Sequence, residues 1–354
     1  NPMDLMERYG ADAMRFNLLT LITNNQDVKF DANIDKKTKA LIDSPRTEQA
    51  RGFVTKIWNA SRFVQMNLDG YAPGEPKAET PEDAWMLSRL ARIVDEATEA
   101  LEGYAFGDYA RDMQSFFWNE VCDWYIELCK GRLLDGVAAE RLQVQRNLVF
   151  VLDVSMRLLH PVMPFVTESV WDMLPASALD DHSSEFLMTA AWPEPEALAG
   201  FVNERAEGDF ELAKRLISQV RSTRARYRLS PKEELRVEVS CGGQQTVDVL
   251  SGQAGFIRKV GRVSELVLSV ADGFAKPEGA VVAHEGDFDA YVLVGELVDL
   301  KAEAARLAKD LAKAEKDLGS VTKTLTNEGF VAKAAPEVIE KKRSQQAELG
   351  AMVE

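Results

Sequence analysis

The sequence predicts a mainly α chain: a helical bundle, then a small α+β subdomain, then a C-terminal antiparallel coiled-coil hairpin. Three observations carry that prediction. Apolar residues recur at helical spacing through residues 40 to 175, with no strand signal among them. Three short alternating stretches follow, at 235–239, 264–268 and 290–294. Finally Leu297, Leu300, Ala304, Leu307, Leu311, Ala314, Leu318, Val321 and Leu325 step by threes and fours, the narrow apolar seam of a coiled coil.

The elements can be taken in order. Residues 1 to 35 open with two short helices, the first closed by Gly10 and the second capped by Asp12. A long amphipathic helix covers about 47 to 68, with Phe53, Ile57, Ala60 and Val64 as its core stripe. A Pro- and Gly-rich loop spans 71 to 82. Helices follow at about 81–101, 106–133 and 138–159, the last ending before Pro161. Pro161-Val162-Met163-Pro164-Phe165 is a rigid turn into a short helix carrying Val166, Val170 and Trp171. Helices of this length in succession read as an up-down bundle. After Trp192-Pro193-Glu194-Pro195, one more helix covers about 204–229, and the three strands come next with Gly-rich turns between them.

The coil breaks at Thr326-Asn327-Glu328-Gly329-Phe330 and resumes as a weaker helix from Pro336 to about Val353. A long helix, a break and a second helix form a hairpin that can close its own seam. Dimerisation through the coil is the other reading of the same heptads.

Bulk properties narrow the function classes. At 354 residues the chain has room for two or three domains. No apolar run approaches the ~20 residues of a membrane span. No secretory signal opens the chain, and the absence of Met at position 1 is expected of a fragment. Cys122, Cys129 and Cys241 are too few for a disulfide framework and lack zinc-site spacing, which fits a cytoplasmic protein. Net charge is −15. Residues 299–354 hold ten Lys and Arg against ten Asp and Glu, so the other 32 cations and 47 acids carry the whole deficit. The overall sign does not decide partners, because binding follows where cations cluster.

Catalytic constellations are missing. His160, His182 and His284 fall at a helix end, in an acidic loop and in a turn, and no phosphate-binding loop, dinucleotide fingerprint or nucleophile elbow occurs. Residues 27–35 hold three acids without the Gly and terminal Glu of a calcium loop. No catalytic residue and no metal ligand is expected.

Two basic helices are more informative. On the first, Lys56, Asn59, Arg62 and Phe63 flank the core stripe. A cation, an amide and a ring together can hold unstacked RNA bases by edge hydrogen bonds and stacking. The alternative is that the cations are solvated and Phe63 is core. The second helix carries Lys214, Arg215, Arg221, Arg224, Arg226 and Arg228. Arg221, Arg224 and Arg228 at i, i+3 and i+7 would face phosphate or simply water.

Several segments resemble class I aminoacyl-tRNA synthetases. Asn1-Pro2 through Tyr9-Gly10-Ala11-Asp12-Ala13-Met14-Arg15-Phe16 resembles the stretch after their Lys-Met-Ser-Lys-Ser signature. Trp58-Asn59-Ala60-Ser61-Arg62-Phe63-Val64 resembles the first long helix of their anticodon-binding bundle. So do Asn119-Glu120-Val121-Cys122-Asp123-Trp124-Tyr125-Ile126-Glu127 and His160-Pro161-Val162-Met163-Pro164-Phe165-Val166-Thr167-Glu168. The heptads with Asn327-Glu328-Gly329-Phe330-Val331-Ala332-Lys333-Ala334-Ala335-Pro336-Glu337-Val338-Ile339 resemble the coiled-coil arm of the valyl-tRNA synthetase family.

That resemblance implies a division into a connector at 1–40, an anticodon-binding bundle at 41–195, an α+β subdomain at 196–296 and a tRNA-binding arm at 297–354. It implies that Lys56, Asn59, Arg62 and Phe63 face the anticodon, and that Arg221, Arg224, Arg228 and Lys333 are candidates for tRNA phosphate. Asp123 and Trp124 are expected to serve packing. The implied partner is tRNA(Val), bound by a monomer, with no membrane association. ATP and magnesium would bind a catalytic domain absent from this chain, which should be inactive by itself. An isoleucyl or leucyl enzyme, or a helical scaffold that dimerises, are the alternatives.

Overall fold

The structure is a computed structural model that describes the chain except residues 1, 23–29, 39, 179–183, 231, 296–299, 327–335 and 354; at 300–307, 310, 336–338 and 351–353 it describes the backbone alone. The chain forms two compact units, Asn1–Ile217 with Asp248–Gly261, and Ser218–Val247 with Arg262–Glu354.

The first unit is helical. Helices α1 (Pro2–Tyr9) and α2 (Ala11–Thr20) meet at Gly10, whose φ of 91° lies where side chains are strained. A small antiparallel pair, β1 (Asn33–Ile34) with β2 (Leu41–Asp43), leads into α3 (Pro45–Gln65), which starts on a proline. That pair is absent from the sequence expectation because strands of two and three residues leave no periodic trace. Next come α4 (Pro81–Glu102), α5 (Phe106–Ser115), a π-helical stretch (Phe116–Tyr125), α6 (Ile126–Asp135), α7 (Ala138–Leu159), α8 (Pro164–Trp171) and α9 (Pro195–Leu198). The Thr80 side chain caps α4 by accepting from Asp83 N at 3.3 Å.

Helix α7 is the axis of this unit, buried almost continuously beyond Gln143. Its few polar side chains hold neighbouring chain in place. Asn147 accepts from the Lys77 N–H at 2.9 Å and donates to its carbonyl at 2.8 Å. Gln145 donates to the carbonyls of Asn67 and Asp69. Between α4 and α6, fully buried Asp83 accepts two bonds from Arg132, at 2.7 and 2.8 Å, and one from Tyr125 at 2.8 Å. A buried carboxylate needs that much compensation.

Two segments singled out by resemblance meet here. Asp12 of α2 accepts from the N–H groups of Phe165 and Val166, at 3.2 and 2.7 Å, and so caps α8. Arg15 donates to the carbonyls of Val162 and Pro161 at 3.1 and 3.0 Å. Burial raises the Asp12 carboxyl against those backbone bonds, and burial lowers His160 in the same turn. His160 shares a bond with Thr167 at 2.9 Å, a structural role at the helix end.

Helix α10 (Glu204–Arg226) gives its first part to the helical unit, where Phe210 stacks on Trp85 with ring centroids 3.9 Å apart. It ends three residues before the expected Leu229, as Arg228 turns left-handed at φ 51° and Leu229 N–H returns to the Arg224 carbonyl at 3.0 Å.

The second unit holds a four-stranded sheet in the order β4-β3-β6-β5, from β3 (Leu235–Cys241), β4 (Val263–Val270), β5 (Ala280–His284) and β6 (Phe288–Leu293). Strands β3 and β4 are parallel and the other pairs antiparallel. Helices α11 (Gln244–Gly252) and α12 (Ala254–Gly261) occupy the stretch expected to be Gly-rich turns. The parallel pairing explains this, since parallel neighbours need a crossover rather than a tight turn. Strand β5 escaped the sequence reading because an edge strand with mixed exposure shows no clean alternation.

The arm consists of α13 (Leu300–Thr326) packed on α14 (Pro336–Val353). Ala314 and Val321 are buried, Leu311 is 42% exposed, and Gln346 donates to Thr322 Oγ1 at 2.9 Å. Leu297, the Asn327–Phe330 break and Lys333 lie outside the described residues.

Candidate nucleic-acid interface

Helix α3 has two working faces. Ala50, Phe53, Ile57, Ala60, Ser61 and Val64 are buried. About 100° around the helix, Gln49, Gly52, Lys56, Asn59 and Phe63 form a second stripe at steps of three and four. Arg62 belongs to neither stripe and stands on the outer, exposed face. Lys56, Asn59 and Phe63 are therefore brought together as expected, with Arg62 about a quarter-turn or more away.

The second stripe lies against the π-helical stretch. Lys56 Nζ is 2.7 Å from Asp123 Oδ1 and 5.3 Å from the Trp118 ring centroid. Trp118 and Asp123 are five residues apart, which an α-helix would put on different faces. One turn of π-helix aligns them, because its hydrogen bonds run i to i+5. Trp118 also stacks on buried Phe53, centroids 6.1 Å apart and 27° between planes. Farther along, the Lys130 ammonium sits 5.5 Å from the Phe63 ring centroid. Phe63 is half-buried, Asn59 and Arg62 are exposed, and Arg62 makes no ion pair among the described residues. Asp123 thus holds Lys56 rather than serving the core, while Trp124 is buried with its ring edge-on to Phe210, as packing requires.

Arginines 221, 224 and 228 do not form one face. Arg224 is 9% exposed, and its Nη2 donates to the carbonyls of Ser230 and Glu233, both at 2.7 Å. Burial, then the nearby Arg262 charge, lowers its pKa. Arg224 therefore anchors the chain beyond α10 and is turned away from phosphate. Arg228 lies past the helix end, leaving Arg221 and Arg228 exposed on different parts of the turn.

Sequence reasoning missed Gln49, Gly52 and Trp118. The 49-52-56-59-63 spacing could have found the first two. Trp118 could not be placed by a period of 3.6, since the turn that presents it has a different one. The three thiols are buried, which pushes Cys122 up to about 12 and Cys241 up to about 11, and leaves both as inert thiols at neutral pH. Among the described residues no cluster of three His, Cys, Asp or Glu could hold a metal, and no helix is long and apolar enough to cross a membrane.

Residues 83–239 match the family described as anticodon-binding domain of tRNA ligase. Residues 299–354 match the valyl tRNA synthetase tRNA binding arm. The valine–tRNA ligase of Symbiobacterium thermophilum is 34% identical over 99% of this chain and 38% of its own length. Those of Thermotoga maritima and Halalkalibacterium halodurans are 36% and 35% identical, each over 98% of the chain. The chain belongs to the valyl-tRNA synthetase family. It spans little more than a third of the length of these curated relatives. The stripe on α3 and the π-helical stretch that faces it both belong to the helical unit; the π-helical stretch falls inside the anticodon-binding match at 83–239, and α3 precedes it. The arm match also separates this chain from the leucyl and isoleucyl alternatives.

Proposed function

We propose that this chain is the tRNA-recognition portion of a valine–tRNA ligase, the enzyme that attaches valine to tRNA(Val) using ATP. One observation carries the reading: an anticodon-binding domain and a valyl tRNA-binding arm occur on one chain, and valine–tRNA ligases align along nearly all of it. The connector at 1–40, the bundle at 41–195, the α+β subdomain at 196–296 and the arm at 297–354 are then successive segments of an RNA-binding chain.

The chemistry of the second α3 stripe supports this assignment. On that stripe Lys56 supplies positive charge, Asn59 an amide for base edges and Phe63 a ring, and Arg62 adds a second cation from the outer face of the helix. The arm is neutral, so it contributes shape and scattered phosphate contacts, Lys333 among them, rather than a strong cationic clamp. Arg221 and Arg228 remain candidates for phosphate, whereas Arg224 does not. In this reading ATP and magnesium bind within the part of the relatives' length that this chain does not span. The reading also makes the chain a monomer acting in the cytoplasm.

Fluorescence anisotropy with labelled tRNA tests it. The chain should bind tRNA(Val) more tightly than an unrelated tRNA, with an affinity that falls as salt rises. Equal binding to both RNAs would sink base-specific recognition. Sedimentation as a concentration-dependent dimer would move the coil to the scaffold reading.

A further inference from the structure

Helix α12 closes a cavity of about 210 Å³ against α4, α6 and α10, and every residue that lines it belongs to the helical unit. That volume is smaller than sites for drug-sized molecules and suits a single ring with its substituents. No residue of α3 or of the π-helical stretch lines it, so it is separate from the interface described above.

One wall is apolar and firmly packed. Trp85, Phe210 and Phe256 stack in series, with ring centroids 3.9 and 5.2 Å apart and planes within 14° and 11°. Trp124 meets Phe256 edge-on at 5.9 Å and steadies it from the side. Phe256 ends the series half-buried, and buried Leu128 and Phe210 complete the apolar surface.

Gln253 breaks that apolar character. It is 6% exposed, and its Nε2 donates to the Asp209 carbonyl at 2.6 Å, which fixes the direction of the amide. Its Oε1 is buried and accepts no bond among the described residues. A bare amide oxygen in such surroundings is costly, so a donor is the one polar group it calls for.

Helix α12 supplies the opposite demand. Lys259 follows Gly255 and Phe256 by four and three residues, which puts all three on one face. Its ammonium forms no ion pair among the described residues, whereas Glu82 on the same lining is held by Arg132 at 3.3 Å. Gly131 of α6 makes room for the ammonium, since a methyl group there would stand 2.5 Å from Nζ. At the start of α12 the N–H groups of Gly255 and Phe256 lack helical acceptors, and Gly255 has no side chain to cover them. Cation and amides both favour an anion.

We propose that this cavity binds a small hydroxy acid built on one flat ring. The ring lies against the Phe256–Phe210 wall, the hydroxyl donates to Gln253 Oε1, and the carboxylate meets Lys259 and the start of α12. The site is independent of the tRNA-recognition reading and needs no RNA.

The probe is 4-hydroxybenzoate, with phenol lacking the acid and benzoate lacking the donor. In a ligand-observed NMR titration of the chain, 4-hydroxybenzoate should bind saturably with a dissociation constant of about 1 mM or below. It should also raise the unfolding temperature as its concentration rises. Phenol and benzoate should each bind about tenfold more weakly, the scale of one hydrogen bond to a buried or charged group. Lys259→Gln should weaken 4-hydroxybenzoate by about that factor and leave phenol unchanged, and Gln253→Met should do the same while leaving benzoate unchanged. Gly255→Leu fills the cavity from a position where a Cβ meets nothing within 4 Å, and should abolish binding of all three. Gly208→Leu, at a glycine of α10 that also faces open space, is the control and should bind like the parent. Absence of saturable binding by the parent up to about 10 mM, ten times the expected constant, would leave a cavity that holds only water and overturn the proposal. Parent-like binding by Gly255→Leu, or an equal loss of phenol on Lys259→Gln, would overturn it as well.

Discussion

Helix α3 and helix α10 carry similar cationic sequence and do opposite things with it. On α3, Lys56 leans over Trp118 and onto a half-exposed carboxylate, and Arg62 points outward. On α10, the central arginine turns inward and is spent on two backbone carbonyls. The difference lies in what the neighbouring chain leaves unsatisfied. Beyond α10 the helix ends in a left-handed residue, and the carbonyls of Ser230 and Glu233 need donors. Beside α3 the backbone is satisfied within helices, so Asn59 and Arg62 stay exposed and Lys56 meets only a partly exposed carboxylate and a ring. Cations clustered in sequence therefore do not measure a binding surface.

Four substitutions sharpen or break that contrast. Arg224→Ala should be the most damaging to the fold, destabilising by about 3 kcal/mol in urea unfolding, because it orphans two carbonyls that a charged donor had satisfied. A loss within 0.5 kcal/mol would show that Arg224 is available to RNA after all. Gly52→Ala should stabilise by up to about 1 kcal/mol, since it replaces a helical glycine where nothing opposes a methyl group. Thermal unfolding would read it directly, and destabilisation would mean that the helix is under a constraint from within the protein. Lys56→Met should cost less than about 1 kcal/mol, as its ion pair is partly exposed. Its RNA affinity should fall by more than its stability does. Arg62→Ala should leave stability within about 0.5 kcal/mol. It should lower the slope of log affinity against log salt by about one, if Arg62 meets one phosphate. An unchanged slope would remove Arg62 from the interface.

Much of the helical unit was legible because amphipathic helices bury one stripe. Phe53, Ile57, Ala60 and Val64 were read as core and are buried. The limits of the helix at 138–159 were also read correctly, between the unstructured Gly136-Val137 and the turn before Pro161. Legibility failed where structure depends on residues distant in sequence. The pairing of β3 with β4 turns an apparent loop into helices α11 and α12. At the candidate site, Lys56, Asn59 and Phe63 were grouped correctly, while Arg62 fell on another face and the Trp118 wall went unseen.

Local pattern determined the helices of this protein, the core face of α3 and the family resemblance, because each is written within a few turns of chain. Tertiary structure alone decided which side chains remain available. Arg224 is withdrawn by carbonyls that appear only after α10 ends, and Trp118 is delivered by a π-helical turn whose five-residue repeat has no signature in the composition. Gly52 joins the two levels. It is visible in the sequence as a glycine within a helix, yet only the folded neighbours show that the space beside it is empty.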